Sequence, residues 1–167
     1  MVVPDSPLSR SLDAAVGYFE LGMVEDALEE LRRLPAEFRN ESEVLELEVA
    51  IGHQIGNWEL AAASMETLCR QPCATVDQFI EWGCCLYELG RVPECRAALL
   101  QAPACRDRHA LWNFHLACYE SILGPKEEAR RRIEQALQLD PGLRRMAAAN
   151  LNLAPLLPAT GQENLTR

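Results

Sequence analysis

Four side chains that could ligate a metal lie close together between residues 105 and 118. They follow one another as C-x3-H-x5-H-x2-C and are Cys105, His109, His115 and Cys118. Four thiolate and imidazole ligands that converge on a tetrahedron would bind zinc. On a single helix His115 and Cys118 share a face, whereas His109 points away from them. We therefore expect no metal site and interpret the cysteines as small apolar core residues.

A cysteine nucleophile is the second chemistry to consider. Cys84 and Cys85 lie in the middle of a predicted helix, where Cys84 should face outward and Cys85 should pack inward. His53 is the histidine that could approach Cys84, and a catalytic thiol needs such a partner and an environment that favours the thiolate. Nothing else completes a triad, and motifs for phosphate binding, zinc proteolysis and serine hydrolysis do not occur. The sequence predicts no enzyme and no cofactor.

Charge is unevenly distributed along the chain. The net charge is −9, and residues 1–83 hold 5 Lys/Arg against 16 Asp/Glu. This acidic half argues against nucleic-acid binding. Basic residues cluster instead at 130–132 and at Arg144 and Arg145. Such a cluster is usually a solvated face, but it could receive an acidic partner or the acidic half of another copy.

Hydropathy and cysteine usage bear on location. The first ten residues contain no apolar signal core, and no apolar run approaches the length of a membrane span. The seven cysteines are odd in number and irregularly spaced, which is not typical of a disulfide framework. We expect a cytoplasmic protein that does not contact membranes.

Helices must position all of these residues. Apolar residues make up 49% of the chain but aromatic residues only 6%, a composition that favours helices over strands. The clearest helix lies within residues 122–141. Its apolar residues recur at three- and four-residue steps, Pro125 suits its first turn, and Pro141 ends it.

Glycines organise the chain at intervals of 34 residues. They are Gly22, Gly56, Gly90 and Gly124. Five residues after each glycine stands a small residue, which suits a close approach of two helices; these are Ala27, Ala61, Cys95 and Ala129. The period predicts four units of helix, glycine turn and helix.

A 34-residue period of this kind resembles the tetratricopeptide repeat family. The resemblance covers about 136 residues, in copies at about 8–38, 41–73, 75–106 and 107–141. It implies an all-α fold, a right-handed α–α superhelix of antiparallel helix pairs, in a single domain over 1–158. A capping helix over about 142–157 and a flexible tail over 159–167 would complete the chain.

Local signals refine this picture. Early prolines should shorten the second helices of the first and third copies, at Pro35 and Pro103. The first helix of the second copy should pack loosely, because it departs from the family pattern at Glu48, Val49 and Gly52. Capping boxes are expected for Asn40 with Glu43 and for Thr75 with Gln78, and Pro93 should lie at a helix start.

The resemblance also implies a concave groove lined by the first helices. Its candidate residues are Leu12, Phe19, Glu46, His53, Ile80, Cys84, Tyr87, Phe114 and Cys118. The Lys and Asn that clamp a chaperone tail carboxylate in some members are absent, since those positions hold Leu12, Val16 and Ala50. Two possibilities stay open: a groove that binds a partner, or apolar residues that pack together or are covered by the last helix or a second subunit.

We therefore predict a noncatalytic scaffold that binds an apolar or amphipathic peptide or helix of an unidentified partner protein. A tetratricopeptide-type chaperone and a homo-oligomeric assembly factor, for example a homodimer, are the alternatives. A thiol or zinc enzyme is the less favoured reading.

Overall fold

The computed structural model describes residues 7–124 and 126–157. Within these ranges the chain is helical and contains no strand, so the predicted all-α class is confirmed. The α-helices are α1 (Pro7–Glu20), α2 (Val24–Arg33), α3 (Ser42–Ile55), α4 (Trp58–Cys69), α5 (Val76–Glu88), α6 (Val92–Leu100), α7 (Ala110–Leu123), α8 (Lys126–Leu139) and α9 (Arg144–Ala149). Short 3-10 helices lie at Ala36–Phe38, Ala104–Arg108, Pro141–Leu143 and Ala154–Leu156. None of the helices in this part of the chain has the length and apolar character needed to cross a membrane.

The chain divides into two compact units, Met1–Ala74 and Thr75–Arg167. The first unit contains α1 to α4 and the second contains α5 to α9. In each unit, consecutive helices pack as pairs: α1 with α2 and α3 with α4, then α5 with α6 and α7 with α8. The single-domain interpretation and the limits of the four repeats stay predictions.

The four periodic glycines form the turns of these pairs. Gly22, Gly56, Gly90 and Gly124 all have positive φ, at 75°, 67°, 72° and 118°. Glycine adopts this left-handed region without the steric cost that a Cβ brings. Because each turn is only two or three residues long, the two helices it joins run antiparallel.

In the first unit, the apolar faces of α1 to α3 meet in one core cluster. Its buried members are Ala15, Val24, Ala27, Leu31, Leu34, Val44, Leu47 and Ile51. The expected loose packing of α3 is wrong, because Val49 is buried and Gly52 allows a close approach to α4. A Cβ on Gly52 would lie 2.9 Å from the Ala61 Cβ and 2.9 Å from the Asn57 carbonyl oxygen.

In the second unit, α7 is the central element, since it packs against α5, α6 and α8. Trp112 is fully buried there, and its Nε1 donates a hydrogen bond to the Leu99 carbonyl at 2.9 Å. A core cluster joins α7, α8 and the following segment; it contains Phe114, Ala117, Ala129, Ile133, Ala136, Leu143, Ala147, Leu153 and Leu156.

The helix ends follow some of the local signals. Helices α2 and α6 have 10 and 9 residues, against 12 and 14 for α4 and α8, which agrees with the early prolines. Thr75 and Gln78 form the expected capping box at the start of α5. Pro93 lies in the first turn of α6. Pro125 lies outside the described residues.

The capping box expected for Asn40 and Glu43 is wrong. Glu41 is the N-cap of α3, so Glu43 falls one position too early for the reciprocal bond. The Asn40 carbonyl instead accepts a hydrogen bond from the Gln71 side chain at 3.0 Å. Gln71 also accepts one from the Ser42 hydroxyl at 2.8 Å, so a side chain from beyond α4 holds the start of α3 in place.

The segment after α8 differs from the continuous helix expected over 142–157. Helix α9 ends at Ala149, and Asn150 adopts an extended conformation. The Asn150 Oδ1 accepts hydrogen bonds from the backbone N–H groups of Asn152 and Leu153, at 3.0 and 3.2 Å. A short polar side chain that satisfies the backbone in this way competes with a helix. Pro155, which has no N–H, gives a further reason why the helix does not resume. The expected tail at 159–167 lies outside the described residues.

Candidate functional site

A cleft of about 210 Å³ opens in the second unit. Helix α5 contributes Cys84, Tyr87 and Glu88, and α7 contributes residues that include Phe114, His115, Cys118 and Tyr119. Asn150 and Asn152, from the segment after α9, close one side. The cleft therefore lies between two helices that begin predicted repeats and the segment that follows the last one.

Helical spacing explains which side chains of α5 reach the cleft. Cys84, Tyr87 and Glu88 are separated by three and four residues and share one face. The opposite face is buried, and it includes Gly83 and the fully buried Cys85. The orientations expected for these two cysteines, with Cys84 facing outward and Cys85 packing inward, agree with the structure.

One polar contact in the cleft joins a thiol and an imidazole. The Cys84 Sγ lies 3.8 Å from the His115 Nδ1, and a hydrogen bond also links Cys84 with the Tyr119 hydroxyl. Burial raises the pKa of the Cys84 thiol and lowers the pKa of His115. At neutral pH the pair is therefore a protonated thiol beside a neutral imidazole, whereas an activated nucleophile needs the thiolate.

The second thiol of the cleft is also un-ionised. Burial raises the pKa of Cys118 to about 12. The Asn150 Nδ2 donates a hydrogen bond to the Cys118 Sγ at 3.7 Å. Away from the cleft, burial raises the pKa of Cys85 to about 12 and that of Cys95 to about 11. These four cysteines behave as compact apolar side chains.

The residues of the C-x3-H-x5-H-x2-C pattern are held apart. Cys105 is exposed on the 3-10 helix before α7. His109 is the N-cap of α7: its Nδ1 accepts from the Trp112 N–H at 3.3 Å, and its Nε2 lies 3.2 Å from the Asp77 carboxylate. Among the described residues, no three His, Cys, Asp or Glu side chains are placed to hold a metal ion.

Aromatic rings lie next to one another along the cleft. The ring centroids of Tyr87 and Tyr119 are 6.1 Å apart, and those of His115 and Tyr119 are 6.3 Å apart. Phe114 and His115 meet edge to face at 5.7 Å. Tyr87 is 47% exposed and lies at the mouth, while the other aromatic side chains are more deeply buried.

Four of the predicted groove residues come together at this cleft, namely Cys84, Tyr87, Phe114 and Cys118. Phe114 contributes only an edge, because it is 5% exposed and packs mainly in the core cluster of α7 and α8. Ile80 is 8% exposed and does not line the cleft. The structure thus divides the α5 and α7 candidates between the cleft and the core.

Four residues of the cleft are not among the predicted groove residues, namely Glu88, His115, Tyr119 and Asn150. Glu88 and Tyr119 could have been found from helical spacing, since Glu88 lies four residues after Cys84 and Tyr119 four residues after His115. His115 was considered only as a metal ligand. No sequence pattern pointed to Asn150, because it reaches the cleft through the turn that replaces the expected helix.

The candidates of the first unit are divided in the same way. Leu12 and Phe19 are half-buried and pack against the core cluster of α1 to α3. Glu46 and His53 are exposed on α3. The His53 ring lies 5.2 Å from the Trp58 ring of α4, which gives this histidine a neighbour within its own helix pair.

The basic cluster on α8 is largely engaged within the second unit. Arg132 pairs with Glu128 at 3.1 Å and with Asp107 at 3.3 Å, and its guanidinium lies over the Trp112 ring. Arg131 also pairs with Glu128. These contacts support the interpretation of the cluster as a solvated structural face.

Comparison with known proteins identifies the fold. No protein-family model and no curated protein matches the chain. Among solved structures, a crystal structure of MamA matches with a TM-score of 0.74 and 15% identity, covering 90% of this chain and 80% of that one. MamA of AMB-1 matches with a TM-score of 0.68 and 22% identity, covering 90% and 79%. YrrB, described as a TPR protein with an unusual peptide-binding site, matches with a TM-score of 0.68 and 16% identity, covering 87% and 74%. The chain therefore has the fold of the tetratricopeptide repeat proteins.

Proposed function

We propose that the chain is a noncatalytic protein-interaction module that binds a peptide or helix of a partner protein in the cleft of its second unit. The observation that carries this proposal is the open aromatic cleft between α5, α7 and the segment after α9. The likeness to YrrB, which has a peptide-binding site, supports it as an analogy of fold.

The size of the cleft favours one anchoring side chain over a whole metabolite. Its volume of about 210 Å³ is below the range that is usual for small-molecule sites. A side chain that buries about 100 Å² of apolar surface there would contribute about 2.5 kcal/mol. The remaining affinity would come from contacts of the partner segment along the rims, around Tyr87 and Ile122.

The chemistry of the cleft supports binding rather than catalysis. A nucleophilic cysteine would need a lowered pKa, but burial raises the pKa of Cys84 and holds its neighbour His115 in the neutral form. The two residues have the right types for a thiol enzyme but the wrong protonation states at neutral pH.

Self-association is the second candidate function, and exposed apolar residues near the C-terminus favour it. Leu151 is 90% exposed, and Leu139 and Met146 are also exposed. A homo-oligomeric assembly factor would cover these side chains with a second copy. Light scattering of the full chain at high micromolar concentration separates the two functions, because a strict monomer excludes the assembly role. A tetratricopeptide-type chaperone would instead use the cleft itself and bind many unrelated apolar segments.

The test of the proposed function is a peptide selection followed by matched variants. Peptides from a random display library are selected on the purified chain, and their affinities are measured by fluorescence anisotropy. The variant Tyr87→Ala with Ile122→Ala should weaken binding about tenfold or more, since it removes apolar surface at the mouth.

The matched control for that experiment is Leu123→Ala. Leu123 and Ile122 are adjacent and each is 40% exposed, but only Ile122 lines the cleft. Leu123→Ala should therefore leave affinity unchanged. Equal affinities for the wild type and the double variant would show that selected peptides bind elsewhere, and the proposal would be withdrawn.

A further inference from the structure

We propose that the occupant of the cleft is an arginine side chain presented by the partner segment. This inference rests on the proposed function and specifies the chemistry of the anchoring residue. It follows from the charges that line the cleft, from its rings and from its thiols, each of which selects the same kind of side chain.

The cleft carries negative charge and no positive charge of its own. Its described lining includes the Glu88 carboxylate but no lysine or arginine. Among the described residues, Glu88 makes no side-chain hydrogen bond or ion pair, so its carboxylate is available at the rim. The negative charges of Glu81 and Glu88 also reach the interior, where they oppose ionisation of Cys84. A cation entering the cleft therefore meets attraction, and an anion meets repulsion.

The exposed aromatic ring at the mouth of the cleft provides a surface that attracts a cation. Tyr87 is 47% exposed, and its ring centroid lies 6.1 Å from that of the buried Tyr119, which in turn lies 6.3 Å from His115. Aromatic faces bind guanidinium and ammonium groups through their quadrupoles. His115 does not oppose this, because burial favours its uncharged form.

Arginine fits this combination better than lysine or leucine. Its planar guanidinium stacks on a ring while its fork of N–H groups donates to a carboxylate such as Glu88. Its aliphatic stem needs an apolar wall, which the un-ionised Cys84 and Cys118 supply. A leucine side chain would make only the apolar contacts with the cysteines. A lysine side chain would pair with Glu88 but could not stack on a ring as the planar guanidinium does.

The net charge of the chain acts in the same direction at longer range. A protein of net charge −9 concentrates cationic segments near its surface and speeds their association. This long-range attraction does not determine where on the surface a cation binds. The cleft determines the position, because the aromatic rings and Glu88 lie together there.

The experiment titrates small probes of defined charge into the full-length chain and follows the NMR resonances of His115 and Tyr87. The probes are N-acetyl methylamides of arginine, citrulline, lysine and leucine. Citrulline has nearly the shape of arginine but no charge, because a urea carbonyl replaces one NH2 group and leaves three N–H donors of the five. The arginine probe should shift both resonances, and the citrulline probe should bind about fivefold more weakly or worse.

Two variants test the named groups. Glu88→Gln should weaken binding of the arginine probe several-fold and affect the citrulline probe less, because only the arginine probe forms an ion pair with the carboxylate. Tyr87→Leu should weaken the arginine probe and Tyr87→Phe should restore it, since the ring face is retained. Glu127→Gln on the exposed face of α8 is the matched control and should have no effect.

The failure of this inference is distinguishable from that of the proposed function. Equal binding of arginine and citrulline, tighter binding of leucine, or an unchanged affinity in Glu88→Gln would each overturn the arginine assignment. The cleft would then be an apolar pocket, and the proposed function would stand. Absence of shifts with every probe also overturns the inference. The proposed function falls with it only if the double variant at the mouth also leaves selected peptides bound.

Discussion

Substitution of Gly52 by alanine tests the close approach of α3 and α4 in the first unit. In an open helix, alanine is favoured over glycine by about 1 kcal/mol. At Gly52, however, the new Cβ would lie 2.9 Å from the Ala61 Cβ, 2.9 Å from the Asn57 carbonyl oxygen and 3.0 Å from the Ala61 nitrogen. Two of these three atoms belong to the backbone, so a rotamer change cannot relieve the contact.

The expected result is a net loss of stability. Overpacking of this kind typically costs about 1–3 kcal/mol, which exceeds the helical gain for most of that range. We expect the free energy of unfolding to be about 1 kcal/mol lower than that of the wild type. The midpoint of thermal unfolding should fall by about 2–4 °C for a chain of this size. Urea unfolding and calorimetry measure the change, and hydrogen exchange of α3 and α4 assigns it to the first unit.

Gly17 provides the matched control for this substitution. It lies within α1, and a Cβ there would meet nothing within 4 Å. Gly17→Ala should therefore raise stability by about 0.5–1 kcal/mol. The reasoning is refuted if Gly52→Ala is as stable as the wild type or more stable, since α3 and α4 would then have room for a side chain.

Three further predictions concern the second unit. Thr75→Ala should lower stability by about 1 kcal/mol in urea unfolding, because it removes the capping box of α5. Arg96→Ala should cost about 2 kcal/mol or more, because the Glu120 carboxylate, 1% exposed, would lose the donor that lies 2.6 Å from its Oε1. Alkylation of Cys84 should be much slower at pH 7 than alkylation of the exposed Cys105. The rate for Cys84 should still be rising with pH beyond pH 9, because the pKa of its thiol is raised. Mass spectrometry of labelled peptides measures both rates.

The controls for these predictions are residues of the same type whose side chains make weaker or more exposed contacts. Thr67→Ala removes a hydroxyl that only bonds to its own helix, at the Ala63 carbonyl, and should be nearly neutral. Arg91→Ala breaks an exposed pair with Glu94 and should cost less than about 1 kcal/mol. Equal losses in each pair of variants, or rapid alkylation of Cys84 at pH 7, would contradict the corresponding prediction.

The sequence predicted the parts of the fold that depend on local chemistry. Turn glycines such as Gly22 and Gly90 were identifiable because a positive φ almost requires glycine at that position. Shortened helices were identifiable because proline lacks the N–H that a helix needs. The helix pairs followed from these signals together with the recurrence of small residues five positions after each glycine.

The parts that the sequence did not predict depend on contacts between distant residues. Gly52 looked like a weak point of α3, but its contact with Ala61 is a property of two packed helices. Asn40 looked like a cap, but α3 begins one residue later than expected, and the Asn40 carbonyl accepts a hydrogen bond from Gln71, which lies beyond α4. In the site, Cys84 and Tyr87 were expected from the resemblance to tetratricopeptide repeats, whereas Asn150 depends on a turn that is followed by Leu153 and Leu156 in the core.

The turn at Asn150 would make binding at the proposed site and local folding interdependent. The segment over 141–157 covers the core with Leu143 and Leu153, and the same segment supplies the cleft wall through Asn150 and Asn152. By thermodynamic linkage, a ligand that binds only the docked segment stabilises it by RT ln(1 + [L]/Kd). Occupancy of the cleft would thus be read out as slower proteolysis and slower hydrogen exchange at the C-terminal end of the chain.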